Sequence, residues 1–166
     1  KCFIYNCNSG FIPEDHWIHD PKIGGGRLIG EACHFIDLLC FLSEEKIKSI
    51  NIVYLDSSKQ NNDTFSIQIE FDGGSIGTVN YFSNGNKNYP KEILEVFTEG
   101  KIFKVNNFLE VKAWGVKNFI NKRYLKQDKG QKNCISAFLK SIEEGESSPI
   151  LVEDIFDIQR RILELI

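Results

Sequence analysis

The chain has 166 residues, 42% of them hydrophobic and 26% charged, which is the balance of one globular domain and excludes a disordered or fibrous chain. The formal net charge of −3 gives no basic surface for nucleic acid or an anionic membrane, and no apolar run reaches the ~18 residues a membrane span requires. The five cysteines (Cys2, Cys7, Cys33, Cys40 and Cys134) are odd in number and irregular in spacing, which suits reduced thiols in a cytoplasmic protein. His16-x-x-His19 matches no standard zinc spacing, so no metal is expected.

Residues 2–8 alternate as a strand, and the chain opens directly on them, as an internal segment of a longer protein would. Residues 9–23 carry Gly10, Pro13 and Pro21 and read as loop. Residues 26–43 are expected as a helix. Its apolar positions cover most of the circumference, so burial on nearly all sides is predicted. Strands follow at 47–55, 66–71, 75–82, 91–98, 101–105, 108–114 and 117–124, with turns at Asp72-Gly73-Gly74, Asn84-Gly85-Asn86 and Glu99-Gly100-Lys101. Cys134, Ile135, Phe138, Leu139 and Ile142 form a helical stripe ending at Gly145. A last helix carries Glu153 and Asp154 in its first turn, and an apolar face of Val152, Ile155, Phe156, Ile162, Leu163 and Ile166.

This order predicts a single α+β domain of two layers: a broad, mainly antiparallel open sheet with helices on one face. Residues 50–55 and 93–97 place apolar side chains on both faces of their strands, so the second face is expected to meet a further copy of the chain.

The segment from Asp20 to Leu39 carries the chemistry. Gly24, Gly25 and Gly26 precede the helix, allow close approach, and are expected to leave helix-start amides free for a polar ligand. Glu31, His34 and Asp37 follow at steps of three and are expected to share a face, a carboxylate and imidazole arrangement suited to acid–base work near neutral pH. The bland alternative is a core histidine with a polar anchor at Asp37. Arg27 is a candidate for a substrate phosphate or carboxylate, and Trp17 for stacking on a sugar or nicotinamide ring. A surface arginine and a packed tryptophan are the competing readings. His16 and His19 read as solvated loop residues.

Gly24-Gly25-Gly26 followed by His34-Phe35-Ile36-Asp37-Leu38 resembles the signature of the C-terminal domain of the Gfo/Idh/MocA oxidoreductases. The resemblance runs through the whole element order and implies a dihydrodipicolinate-reductase-like C-terminal fold. Residues 12–21 resemble a subgroup joined to an alcohol-dehydrogenase-like half. What the resemblance implies is a parent enzyme moving hydride between NAD or NADP and a sugar, sugar nucleotide or cyclitol. His34 would donate or accept the proton, the glycines would line the pocket mouth, and Asp37 would be structural first. The family's Rossmann domain supplies the dinucleotide site and a Glu-Lys-Pro lysine, and neither that stretch nor Gly-x-Gly-x-x-Gly occurs here. This domain alone is therefore expected to be inactive. The family's acid four positions before the histidine is Gly30 here, with Glu31 one place later as a substitute. That departure also admits a catalytically silent binding or oligomerisation module.

Overall fold

The computed structural model describes residues 1–20, 22–56 and 62–166, so Pro21 of the loop lies outside the described residues. Eight strands are present: β1 (Cys2–Asn8), β2 (Ile47–Tyr54), β3 (Phe65–Phe71), β4 (Ile76–Phe82), β5 (Glu92–Thr98), β6 (Lys101–Asn106), β7 (Glu110–Trp114) and β8 (Lys122–Arg123). They form one sheet in the order β2-β3-β4-β1-β5-β6-β7-β8. Among the described residues only β1 and β4 run parallel. The other neighbours are antiparallel, and all of these but β1 and β5 are consecutive in the chain. The predicted α+β architecture with a broad, mainly antiparallel open sheet is the observed one.

The strand expected over 117–124 shrinks to two residues. Gly115 and Asn118 take positive φ (74° and 60°), which breaks the extended backbone before pairing with β7 resumes.

Period-two alternation decides which side chains reach the core. Phe3, Tyr5 and Cys7 of β1, Phe65, Ile67, Ile69 and Phe71 of β3, and Val79 and Tyr81 of β4 all point to the helical side and are buried. Onto them packs α1 (Cys33–Ser43), preceded by a π turn (Leu28–Ala32), through Phe35, Ile36 and Leu39. An aromatic file runs beneath the helix: Tyr5 stacks on Phe35 at 4.4 Å, Phe35 lies 6.3 Å from Tyr81, and Tyr81 lies 5.1 Å from Phe65.

The expectation that this helix is buried on nearly all sides is corrected. Gly30, His34, Asp37 and Phe41 form an exposed stripe, with Phe41 76% accessible. The closing helices α2 (Gln131–Glu144) and α3 (Val152–Leu163) stand where the sequence puts them, and Gly145 caps α2 in the left-handed region. Their apolar stripes are nevertheless open. Ile135, Phe138, Leu139, Ile142, Ile155 and Phe156 are all more than half exposed, while Ile162 is fully buried against the core.

The other face of the sheet carries one apolar row, set by register across five strands: Ile76 beside Cys2, Cys2 beside Phe97, Phe97 beside Ile102, and Ile102 beside Trp114. The rows next to it are polar. Ser66 donates to Asn80, Asn80 to Asn6, and Lys104 pairs with Glu95 at 2.9 Å.

All five cysteines are free. Burial pushes the Cys7 thiol up to about 12, and Cys40 likewise, whereas Cys2 and Cys134 are exposed. Because the thiolate is the reactive form, a maleimide added to the native protein at pH 7.5 is expected to spare Cys7 and to modify it only after unfolding. Mass mapping of the labelled peptides reads the order, and native labelling of Cys7 would contradict this core.

Candidate functional site

The site region begins in the loop after β1. The His16 imidazole accepts from the Ile18 amide at 3.3 Å and starts a single 3-10 turn (Trp17–His19), which tucks Ile18 inward and leaves Trp17 58% exposed. The glycines follow, and each has its own reason. A Cβ at Gly24 would stand 2.6 Å from the Ile18 carbonyl carbon, so the position accepts no side chain. Gly25 and Gly26 hold φ of 67° and 82°, where L-residues are strained. Ahead of the helix start, the N–H groups of Gly24 and Gly25 donate to the Asp20 carbonyl at 2.8 and 3.0 Å. The run is a built turn before it is a cradle.

Gly24→Ala is expected to displace the loop and cost roughly 1–3 kcal/mol as an overpacked contact against backbone. Gly26→Ala meets nothing within 4 Å and is expected to cost only about 1 kcal/mol for its φ. Paired urea unfolding curves check the order, and equal losses would refute the contact argument.

Behind the turn lies a buried polar cluster that local sequence does not reveal. Arg27 is 2% exposed; its Nη1 donates to the Ser9 hydroxyl and to the Tyr81 hydroxyl, the latter at 2.8 Å. Its Nε lies 3.6 Å from Asp63 Oδ2, and His19 Nε2 approaches the same oxygen at 3.6 Å. Burial pushes the Asp63 carboxyl above its ordinary value, and the charges of His19 and Arg27 pull it back. Two expectations are corrected here. His19 is not a solvated loop residue, since its side chain is 7% exposed. Arg27 is not a surface arginine: it is 2% exposed, with its guanidinium against Ser9, Tyr81 and Asp63. Ser9, Asp63 and Tyr81 come from the ends of β1, β3 and β4, and only strand pairing makes them neighbours.

His34 points away from this cluster, on the exposed stripe of α1. It borders an open groove of about 1310 Å³, whose wall also includes Asp37, Phe41, Tyr5, Glu92 and Lys129. Burial raises the Asp37 carboxyl above its ordinary value; the charge of His34 lowers it and that of Asp154 adds to the rise. Glu92 is 5% exposed on β5, and Lys129 reaches its Oε2 at 2.6 Å, leaving an ion pair inside a largely apolar groove. Sequence reading missed this pair, since the two residues are far apart in the chain and neither belongs to a motif.

Glu31 does not join His34. Among the described residues no hydrogen bond or ion pair links them, and the charge of Glu31 acts instead on Tyr81, Cys7 and Asp63. The shared face expected from steps of three assumes 3.6 residues per turn, and the π turn Leu28–Ala32 breaks that period. Gly30, where a family acid would stand, leaves room for Ile18: a Cβ there would come 3.2 Å from the Ile18 Cδ1 atom. Among the described residues no cluster of three or more His, Cys, Asp or Glu is arranged to hold a metal ion, and no helix is long and apolar enough to cross a membrane.

A profile of the GFO/IDH/MocA C-terminal domain matches residues 3–103. Among solved structures, the chain superposes on a UDP-N-acetylglucosamine 3-dehydrogenase from Acidithiobacillus ferrooxidans with a TM-score of 0.75 at 11% identity, covering 99% of this chain and 52% of that one. An aldose-aldose oxidoreductase from Caulobacter crescentus complexed with glycerol gives 0.75 at 14% identity, covering 99% and 51%. An oxidoreductase domain protein from Kribbella flavida gives 0.76 at 16% identity, covering 98% and 55%. The chain thus spans about half the length of the structures it matches. A comparison with curated proteins gave no match.

Proposed function

The chain belongs to the Gfo/Idh/MocA family as its C-terminal domain, and from that premise we propose that it is the substrate-side half of an NAD(P)-dependent oxidoreductase acting on a sugar, sugar nucleotide or cyclitol. The observation that carries this reading is the exposed stripe of α1, which presents His34 and Asp37 to an open groove rather than to the core. The described residues make no dinucleotide-binding unit, so the hydride chemistry that NAD(P) supplies belongs to a Rossmann domain elsewhere in the parent. The open apolar stripes of α2 and α3 are the surface such a domain would cover. Within this half, His34 takes or returns the hydroxyl proton at its imidazole. Asp37 stands on the same exposed stripe, and its carboxyl feels the charge of His34. Glu31 contributes only if it is brought round to His34, and Trp17 and the glycine turn border the approach. Free thiols throughout fit a cytoplasmic protein.

A second copy of the chain is proposed to cover the sheet's open face along the Ile76–Trp114 row. Phe97→Lys on that row is expected to lower the oligomeric state in sedimentation, and an unchanged state would remove this interface.

A second reading, a silent binding or assembly module, rests on Gly30 in the family's acidic position. The full-length protein, screened with NAD⁺ and NADP⁺ against neutral sugars, cyclitols and UDP-sugars, separates the two. Cofactor reduction with one class supports the enzyme. No turnover and no cofactor binding by the full-length protein leaves the module.

A further inference from the structure

Arg27 and His34 are seven residues apart on one continuous helical run. Seven residues make two turns of an α-helix, so both would lie on the same face, with Glu31 between them. In this protein they do not share a face: Arg27 is 2% exposed beneath the loop, and His34 stands open to solvent. The π turn Leu28–Ala32 lies between them and holds one residue more than an α-turn, a phase change of about 100°.

Each side of that turn is anchored separately. After it, Phe35, Ile36 and Leu39 are sunk into the core, which fixes the phase of α1. Before it, Arg27 is held by the Ser9 and Tyr81 hydroxyls and by Asp63, with its guanidinium carbon 5.4 Å from the Tyr81 ring centre. A buried guanidinium torn from such partners is costly, so the helix takes up the mismatch between the two anchors within Leu28–Ala32, where Leu28 and Ala32 stay in the core and Gly30 and Glu31 do not. Glu31 sits within that stretch and is turned towards the Arg27 side.

We propose that Arg27 is a positioning residue that sets the phase of the helical turn before α1, and that the π turn it enforces keeps Glu31 apart from His34. The inference rests on His34 as the working group of the site and goes further, because it assigns which residue decides whether an acid stands beside it. With the anchor gone, residues 28–32 relax to an α-turn, and Arg27, Glu31 and His34 fall on one stripe. Glu31 then faces His34 from one turn earlier, adding a carboxylate to the Asp37 and Asp154 already grouped on that side.

The test is a proton–carbon NMR titration of the His34 imidazole in the full-length protein, assigned with His34→Gln. Wild type and Arg27→Met are each compared with and without Glu31→Gln. In wild type, Glu31→Gln is expected to leave the His34 midpoint where it is. Arg27→Met is expected to raise that midpoint by roughly 0.2–0.4 pH unit, the size of one helical charge pair, and Glu31→Gln in that background to abolish the rise. A purely structural arginine would lower the melting temperature and leave the midpoint unmoved. A folded Arg27→Met protein with an unchanged midpoint overturns the proposal, as does a shift on Glu31→Gln in wild type. Should Arg27→Met not fold, Ser9→Ala with Tyr81→Phe strips the same guanidinium of its hydroxyl partners and is judged by the same readings. None of these outcomes depends on turnover, so a failure of the enzymatic reading stays separate.

Discussion

His34→Ala in the full-length protein is expected to lower kcat by roughly 10²–10⁴-fold, the range lost when a positioned acid–base group is removed. Substrate KM should move much less, because the imidazole handles a proton in the transition state and is one of many contacts in the ground state. The fold should not suffer, since the side chain lies on the exposed stripe of α1 and fills no part of the core. Steady-state kinetics beside a melting curve reads both. A variant with full kcat and an unchanged melting temperature would remove His34 from the chemistry and return the site to the binding-module reading.

Phe35→Ala, one residue further on, is expected to do the reverse. Phe35 is 8% exposed and stands between Tyr5 and Tyr81 in the aromatic file under the helix. Its loss removes a large buried side chain, leaves a cavity and breaks a stacked pair, at about 3–5 kcal/mol. Urea unfolding should show the midpoint falling with the m-value retained. What activity survives at low temperature should keep its dependence on His34. A loss under ~1 kcal/mol would mean that α1 is not seated on the sheet as described. Adjacent residues on one helix are thus predicted to separate chemistry from stability, because the 100° step between them turns one outward and the other into the core.

The exposed faces of α2 and α3 fit the same view of a part built to be covered. A helix with a strong apolar stripe is expected to bury it, and here Phe138, Ile142 and Phe156 do not. The periodicity is legible in the sequence; among the described residues nothing buries the stripe it creates.

Much of the architecture was written in local pattern. Strict alternation over 66–71 specified a strand with one buried face, the apolar positions of 26–43 specified a helix, and Gly145 marked its C-terminal counterpart in α2. These signals survive because each depends on residues a few places apart, where backbone period and solvent alone decide. The glycine run and His34 were legible as a motif through their resemblance to the family signature. Strand order and helix phase, which rest on long-range contacts, were decided only by the tertiary structure. The β1–β4 pairing brings Ser9 to Tyr81, with Asp63 near the start of β3 completing the cluster; no spacing in the chain announces that set. Once Arg27 is drawn into it, the helix can no longer keep an unbroken 3.6 period, and the side chains at 31 and 34 part company. The sequence by itself determined which residues were present for chemistry; the seating of Phe35, Ile36 and Leu39 turned His34 and Asp37 to the groove, and the packing of Arg27 against the sheet held Glu31 away from them, because satisfying a buried charge outweighs keeping a regular turn.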